Sequence, residues 1–475
     1  MVDLCEIVMS RVPILVILGA TGSGKSRLGI ELAQRFSGEI ISADSMQVYK
    51  GLDIITAKVT KEERAMAPHH MLDICDPLTH CSVVDFRNKA LPIMDNLLST
   101  NKLPIIVGGT NYYIESLLWE ILVQDPEESV KTSKNADWKI SSDLSCDKKS
   151  DNVSKSDSDN ANVNERDDDE QDHPPKKKMK LEESNKELHR KLAAIDPEMA
   201  NRLHPNNRRK VIRSLQVHEE YGMRHSEILR IQRLAGGSGL GGPLRYQNSI
   251  ILWLQCDQKI LDDRLNARVD SMLEAGLVKE LLDFHERYNQ DRLKNNALPD
   301  YTKGIFQSIG FKEFHEYLIL PKEQRESETG KKLLQQGIDD LKLVTRRYAR
   351  KQQRWVLNRF VRRADRQVPP VYSLDCTNVE LWDNSVLGPA VAIVSAKLNG
   401  ETPTQKPLNE KVKDEKKTDS SNEESHFCET CKRILIGELQ WNAHLQGAKH
   451  KRVLQKKKKI QQGTKRNEVP DTPKE

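Results

Sequence analysis

Three groups of residues in this chain have the types and spacing that chemistry demands. The first is Gly19-Ala20-Thr21-Gly22-Ser23-Gly24-Lys25-Ser26, a full match to GxxxxGK[ST]. Glycines at these positions let backbone N–H groups turn onto an anion, and a helix starting at the loop's end adds its partial positive charge. Lys25 is then placed to reach the outer phosphate and Ser26 to hold Mg²⁺. The plainer alternative is a glycine-rich turn with a chance lysine, but an apolar run precedes the motif and a helical pattern follows it. A diphosphate or triphosphate ligand is expected. The motif leaves open whether a terminal phosphoryl group is transferred or a diphosphate departs whole.

The second group is Asp44-Ser45-Met46-Gln47-Val48-Tyr49 together with Gly109-Thr110-Asn111-Tyr112-Tyr113, each after a short apolar run. Ligands in open parallel sheets bind beyond the carboxyl ends of strands. Asp44 could therefore bind Mg²⁺ or act as general base, and Gln47 could read a base edge through its amide. Alternatively Asp44, Ser45 and Thr110 are helix N-caps and Tyr49 is a core residue. The third group is Cys428-x2-Cys431-x12-His444-x5-His450. Two cysteines and two histidines at these intervals predict a tetrahedral, structural zinc site with no position left open for catalysis. A unit this small has little core beyond Leu439, Trp441 and Leu445, so the metal must organise it. The stretch Lys449–Arg466 carries nine basic and no acidic residues, which points to RNA backbone contact.

These groups need elements to hold them. Val12–Leu18 is a continuous apolar run, as a parallel strand buried on both faces requires. Further runs at Ile40-Ile41, Leu103–Val107 and Ile250–Leu254 alternate with helical patterns. The expected fold class is α/β, a phosphate-loop parallel sheet. From Leu188 to about Phe360 the pattern is mostly helical, with Leu261, Leu265, Val269, Met272 and Leu273 at i+3 and i+4 spacing and one long helix over 331–360.

Composition bounds the rest. Of 475 residues 31% are charged, above the roughly 25% of ordinary globular domains, so part of the chain must be solvated. Asp151–Asp172, with nine acidic and two basic residues and almost nothing apolar, is expected to be disordered. The net charge of +5 says little by itself; Thr345–Arg366, with nine basic residues and one acidic, says more. Among the aromatics there, Tyr348, Trp355 and Phe360 are expected to pack in the core rather than stack on bases, while the basic face suits RNA. Scattered cysteines argue for a reducing compartment. No apolar run approaches the ~18 residues of a membrane span, and the first ten residues carry Asp3 and Glu6 without a positive charge. No membrane association is expected.

The ordered blocks resemble the tRNA dimethylallyltransferases (tRNA isopentenyltransferases), eukaryotic type with a carboxy-terminal zinc finger. The resemblance covers the phosphate loop, Asp44–Tyr49, Gly109–Tyr113, Asn207–Val217, Ala267–Leu277, Ser308–Lys312 and Thr345–Trp355. It implies transfer of a dimethylallyl group from dimethylallyl diphosphate to the exocyclic amine of adenosine 37, next to the tRNA anticodon. It implies that Asp44 takes the proton, that Thr110 positions the reacting groups, and that Gly19–Ser26 and Arg268 hold the diphosphate. It further implies that tRNA is met by Asp44, Ser45, Met46, Gln47 and Thr110, by Arg209, Lys210, Val211, Ile212 and Arg213, and by Arg346, Arg350, Lys351 and Arg354. Arg264, one turn from Arg268, is the alternative diphosphate ligand. The base must leave its stack to react. The rival reading is a phosphate-loop kinase or ATPase with an RNA-binding tail.

The resulting domain expectation is a catalytic core at 11–124 and 249–370, a disordered insertion at 125–187 and a helical tRNA-binding insertion at 188–248. A linker at 371–425, a finger at 426–452 and a basic tail at 453–475 complete it. A monomer is expected. Location is expected to be cytoplasmic, with Pro174–Lys180 resembling a nuclear localisation signal. Members of the family also occur in mitochondria, which the amino terminus does not support.

Overall fold

Strand β1 (Ile14–Gly19) is apolar throughout because both its faces are covered. Leu15, Val16, Ile17 and Leu18 are fully buried, and each contributes roughly 1.5–3 kcal/mol to folding. The computed structural model describes residues 12–120, 184–234, 242–294, 304–363, 366–410, 425–431, 433–436 and 438–456. They fall into two compact units, one built from residues up to 122 and from 229–420, the other from 123–228 and 421–475.

In the first unit β1 leads through the glycine loop into α1 (Lys25–Phe36), then β2 (Glu39–Ser42), α2 (Lys61–Met66), β3 (His69–His70), α3 (Val83–Ser99), β4 (Pro104–Val107) and α4 (Asn111–Leu118). The sheet is six-stranded, β3-β2-β4-β1-β5-β6, where β5 is Ser249–Gln255 and β6 is Val371–Asp375. Every pairing in it is parallel. Alternate residues serve the two faces: Val16, Ile41, Ile106 and Ile251 join one core, Ile17, Ile40, Ile105 and Leu252 the other.

The second unit contains α5 (Asn185–Ile195), α6 (Pro197–Arg202), α7 (Arg208–Tyr221) and the first residues of α8 (His225–Leu234). Ser184 and Glu187 form a capping box that starts α5. Asp196 is buried yet fully used, accepting from Met199 N–H at 3.0 Å and from Ser226 N–H at 2.8 Å. The same unit includes β7 (Ser425–Cys428) and β8 (Arg433–Ile436), an antiparallel pair, and a short helix over Glu438–Gln446.

Back in the first unit, α9 (Gln258–Glu274) and α10 (Leu277–Lys294) follow β5. The long helix expected over 331–360 is α11 (Glu328–Val356), started by Ser327 and continued by one wider turn over Leu357–Val361. Residues 371–398, expected to be linker, are part of the sheet layer instead: β6 pairs with β5, and α12 (Gly388–Leu398) buries Ala390, Ile393 and Val394. An edge strand covered less completely reads Val-Tyr-Ser-Leu-Asp, an interrupted pattern that a search for continuous apolar runs passes over. The segment 121–183, including Pro174–Lys180, and the tail beyond 456 lie outside the described residues. Among the described residues no helix is long and apolar enough to cross a membrane.

Candidate active site

The carboxyl ends of β1, β2 and β4 open on one cavity of roughly 400 Å³. On its β1 side the glycine loop leads into α1 through Gly24, whose φ of 87° is the left-handed conformation that glycine alone adopts cheaply. A side chain there would also strike Trp382, which covers the loop from beyond β6. Trp382 is held in turn by its indole N–H on Glu31 and by the Arg27 guanidinium 4.5 Å above its ring. Lys25 donates to Ala20 O at 2.8 Å, and Ser26 is exposed in the wall of the same cavity.

On the β2 side, Asp44 closes a tight turn by accepting from Met46 N–H at 2.9 Å. No helix begins there, so the N-cap alternative for Asp44 and Ser45 falls away. Thr110 does precede α4, but its side chain makes no capping bond. Its hydroxyl accepts from Ser45 N–H at 2.9 Å and donates to Ser45 Oγ at 3.1 Å, while its N–H reaches Ala43 O. Thr110 therefore ties the β4 turn to the Asp44 turn.

Charges then decide what the cavity attracts. Arg268 on α9 lines it and lies within electrostatic range of both Lys25 and Asp44. Burial and the Arg268 charge push Lys25 down to about 8, against the opposing pull of Asp44. Burial pushes the Asp44 carboxyl above its ordinary value, although the Met46 N–H, Lys25 and Arg268 all favour its ionised form. Two cations against one carboxylate, at a helix N-terminus, suit a multiply charged anion. Arg264 takes no part: it donates to Cys376 O at 2.7 Å and Thr377 O at 2.6 Å, tying α9 to the end of β6.

Several other expected ligands are committed elsewhere. The Gln47 amide accepts from Ser42 Oγ at 2.9 Å and donates to Thr56 O and Ala57 O at 3.1 Å each, so it braces the cavity wall rather than offering a free edge to a base. Tyr49 is core. On α7, Arg209 and Lys210 are exposed, Arg213 meets Glu220 at 3.3 Å, Ile212 is half-buried and Val211 is fully buried, which removes Val211 from any RNA surface. On α11, Lys351 and Arg354 are exposed, whereas Arg346 donates to Asn266 and Arg350 pairs with Asp262, both on α9.

Of the aromatics expected in the core, Tyr348 lines the cavity instead, whereas Trp355 and Phe360 pack inward. Phe360 is fully buried, and the Trp355 indole donates to Glu115 at 3.0 Å. Glu115 also binds Arg359 at 2.9 Å and Arg366 at 3.1 Å. Sequence reasoning missed this knot, and it missed Gln352. The amide of Gln352 accepts from Thr21 N–H at 2.8 Å and donates to Gly109 O at 3.0 Å. Gln352 is four residues after Tyr348 and so shares its helix face, a local signal set among basic residues.

In the finger, Cys428, Cys431, His444 and His450 each offer a ligand atom, all within 4.8 Å of one another. His450 turns Nδ1 toward both sulfurs, at 3.6 and 3.5 Å, and toward His444 Nε2 at 3.1 Å. Two sulfurs and two imidazoles fit structural Zn²⁺.

A family model described as IPP transferase matches residues 47–359, one described as isopentenyl transferase matches 12–70, and a zinc-finger of C2H2 type matches 426–450. The tRNA dimethylallyltransferases of Mus musculus and Homo sapiens are each 47% identical over 451 residues, 94% of this chain and 87% of theirs. A solved eukaryotic dimethylallyltransferase acting on tRNA superposes with a TM-score of 0.69 at 27% identity, covering 96% of this chain and 99% of that one.

Proposed function

The chain belongs to the IPP transferase family, and from that premise we propose how its residues perform the family's reaction. It is a tRNA dimethylallyltransferase: a dimethylallyl group passes from dimethylallyl diphosphate to the exocyclic amine of adenosine 37 of tRNA, and diphosphate leaves. The nitrogen lone pair attacks the allylic carbon, the carbon–oxygen bond to diphosphate breaks, and the amine proton goes to the Asp44 carboxylate. The observation that carries these assignments is the meeting of Lys25, Arg268 and Asp44 in one cavity beside a helix N-terminus.

The glycine-loop amides, Lys25 and Arg268 hold the leaving diphosphate and stabilise the charge it gains, electrostatics aimed at where charge develops. Ser26, exposed in the wall of the same cavity, would supply a hard oxygen to Mg²⁺. Bound there, the ion would neutralise part of the departing charge. Adenine's amine is a weak nucleophile, so holding it in line and removing its proton is where most of the acceleration arises. Thr110 serves this by fixing the Asp44 turn. The adenine reaches Asp44 flipped from its stack. Lys351, Arg354, Arg209 and Lys210, all exposed, are the residues we assign to the tRNA backbone.

The test is a single-turnover incubation of the protein with Mg²⁺, a tRNA carrying adenosine 37, and either dimethylallyl diphosphate or ATP. A dimethylallyl mass gain with the first donor alone is expected. Phosphate release from ATP without any gain from the allylic donor would return the phosphate loop to the kinase reading.

A further inference from the structure

Gln352 is a buried amide, 5% exposed, whose two ends are spent on two different loops. Its oxygen accepts the Thr21 N–H of the phosphate loop, and its nitrogen donates to Gly109 O in the turn that carries Thr110. The loops follow different strands, β1 and β4, and each bond joins residues hundreds of positions apart in the chain. Thr21 offers a donor and Gly109 an acceptor, so the bridging group must accept at one end and donate at the other. An amide does both at every pH, whereas a carboxyl group does so only when it holds a proton. A carboxylate would oppose Gly109 O, and an alkyl chain would take away the partner of Thr21 N–H and the shorter of the two bonds to Gly109 O.

The surroundings are arranged for that amide. A Cβ at Gly109 would lie 2.4 Å from Gln352 Nε2, so glycine is what lets the amide approach. Tyr348, one turn earlier on α11, places its hydroxyl 3.4 Å from the same Gly109 O. Glu115 independently fastens α4 to α11 and its continuation through Trp355 and Arg359. The acceptor side of the site is thus fixed to α11 by several bonds. From α11 to Thr21 on the donor side the Gln352 bond is the one hydrogen bond recorded among the described residues.

We infer that Gln352 is a positioning residue for group transfer, a spacer that sets the distance between the loop gripping the diphosphate and the turn presenting Asp44 and Thr110. The inference rests on the transferase reading above. Reacting atoms about 3–3.5 Å apart tolerate little error, and a displacement of ~1 Å can lower the rate roughly 100-fold. A loosened spacer also lets water compete for the allylic carbon. In that side reaction water's oxygen bonds to the carbon, the carbon–diphosphate bond breaks, and a proton is released.

The experiment compares wild type with Gln352→Met and Gln352→Glu at equal concentrations of folded protein. It follows the transfer rate, the KM of each substrate, and the ratio of diphosphate released to dimethylallyl-tRNA formed. For both variants kcat should fall roughly 10- to 100-fold with each KM changed by less than about threefold. The product ratio, one in wild type, should rise. A purely structural role would lower the folded fraction while leaving rate per folded molecule and the ratio untouched, and that result overturns the inference. Should both variants fail to fold, Gly109→Ala displaces the amide from the other side and must give the same rise in ratio. If wild type itself forms no dimethylallyl-tRNA, the transferase reading fails instead.

Discussion

Substituting Asp44→Asn removes a charge while keeping shape, since the amide oxygen can still accept from Met46 N–H. Two effects follow, and their sizes separate them. Loss of the base should cost ~10²–10⁴ in kcat. The second effect acts on Lys25, which sits at about 8 partly because Asp44 holds it up against burial and Arg268. At pH 7 such a lysine is about 90% charged, and a further fall of one unit would leave about half, less than a twofold loss. The large loss therefore belongs to the base. The assay is the pH profile of kcat/KM under single turnover, with tRNA binding measured separately. Wild type should be bell-shaped: activity falls on the acid side as Asp44, raised above the ordinary carboxylate value, takes a proton, and on the alkaline side near pH 8 as Lys25 loses one. In the variant the acid limb should vanish, the alkaline limb should move to lower pH, and tRNA should still bind. Turnover within threefold of wild type, or an unchanged acid limb, would refute the assignment.

Glu115→Ala strands Arg366, whose side chain is 2% exposed, and should cost about 3–5 kcal/mol in denaturant unfolding; a change below about 1 kcal/mol would show the knot is not a stability element. Glu115→Gln, which keeps hydrogen-bonding atoms, should cost less. Removing zinc with a chelator should expose the amides of Ser425–Cys428 and Arg433–Ile436 to hydrogen exchange while those of β1 stay protected. Equal protection before and after would mean that the finger folds without metal. Lys351→Ala and Arg354→Ala should each lower the log–log salt slope of tRNA binding by about 1 and leave the single-turnover rate at saturation unchanged; an unaltered slope removes α11 from the RNA surface.

The strand ends were legible because their chemistry depends on the backbone. A glycine loop after an apolar run means the same thing wherever it occurs, and Asp44 and Thr110 follow strands visible as apolar runs. Tertiary partners were not legible. Arg264 and Arg268 share a helix face, but one helical turn decides that Arg264 meets the end of β6 and Arg268 the cavity. Val211 stands among basic neighbours in the sequence, although Val211, Ser214 and Val217 mark the buried side of α7. Gln47 and Gln352 show the same limit from opposite sides. One amide expected to face the base turned inward, and one amide overlooked bridges two loops, because partners set by folding leave no local trace. Strand β3, two histidines long, gave no apolar signal.

The sheet order bears on how the chain is made. Strand β1 lies between β4 and β5, so its inner position is completed only when Ser249–Gln255 has been synthesised. Ribosomes add ~5–20 residues per second, so β1 emerges roughly 10–50 s before its second neighbour exists. During that interval an apolar strand carries an open edge, the kind of surface that recruits other chains. The glycine loop meanwhile lacks both Gln352 and the cover of Trp382, which arrive later still. Assembly of the anion cradle is therefore among the last events of synthesis, and shielding of the nascent amino-terminal half is the step on which the yield of active protein should depend.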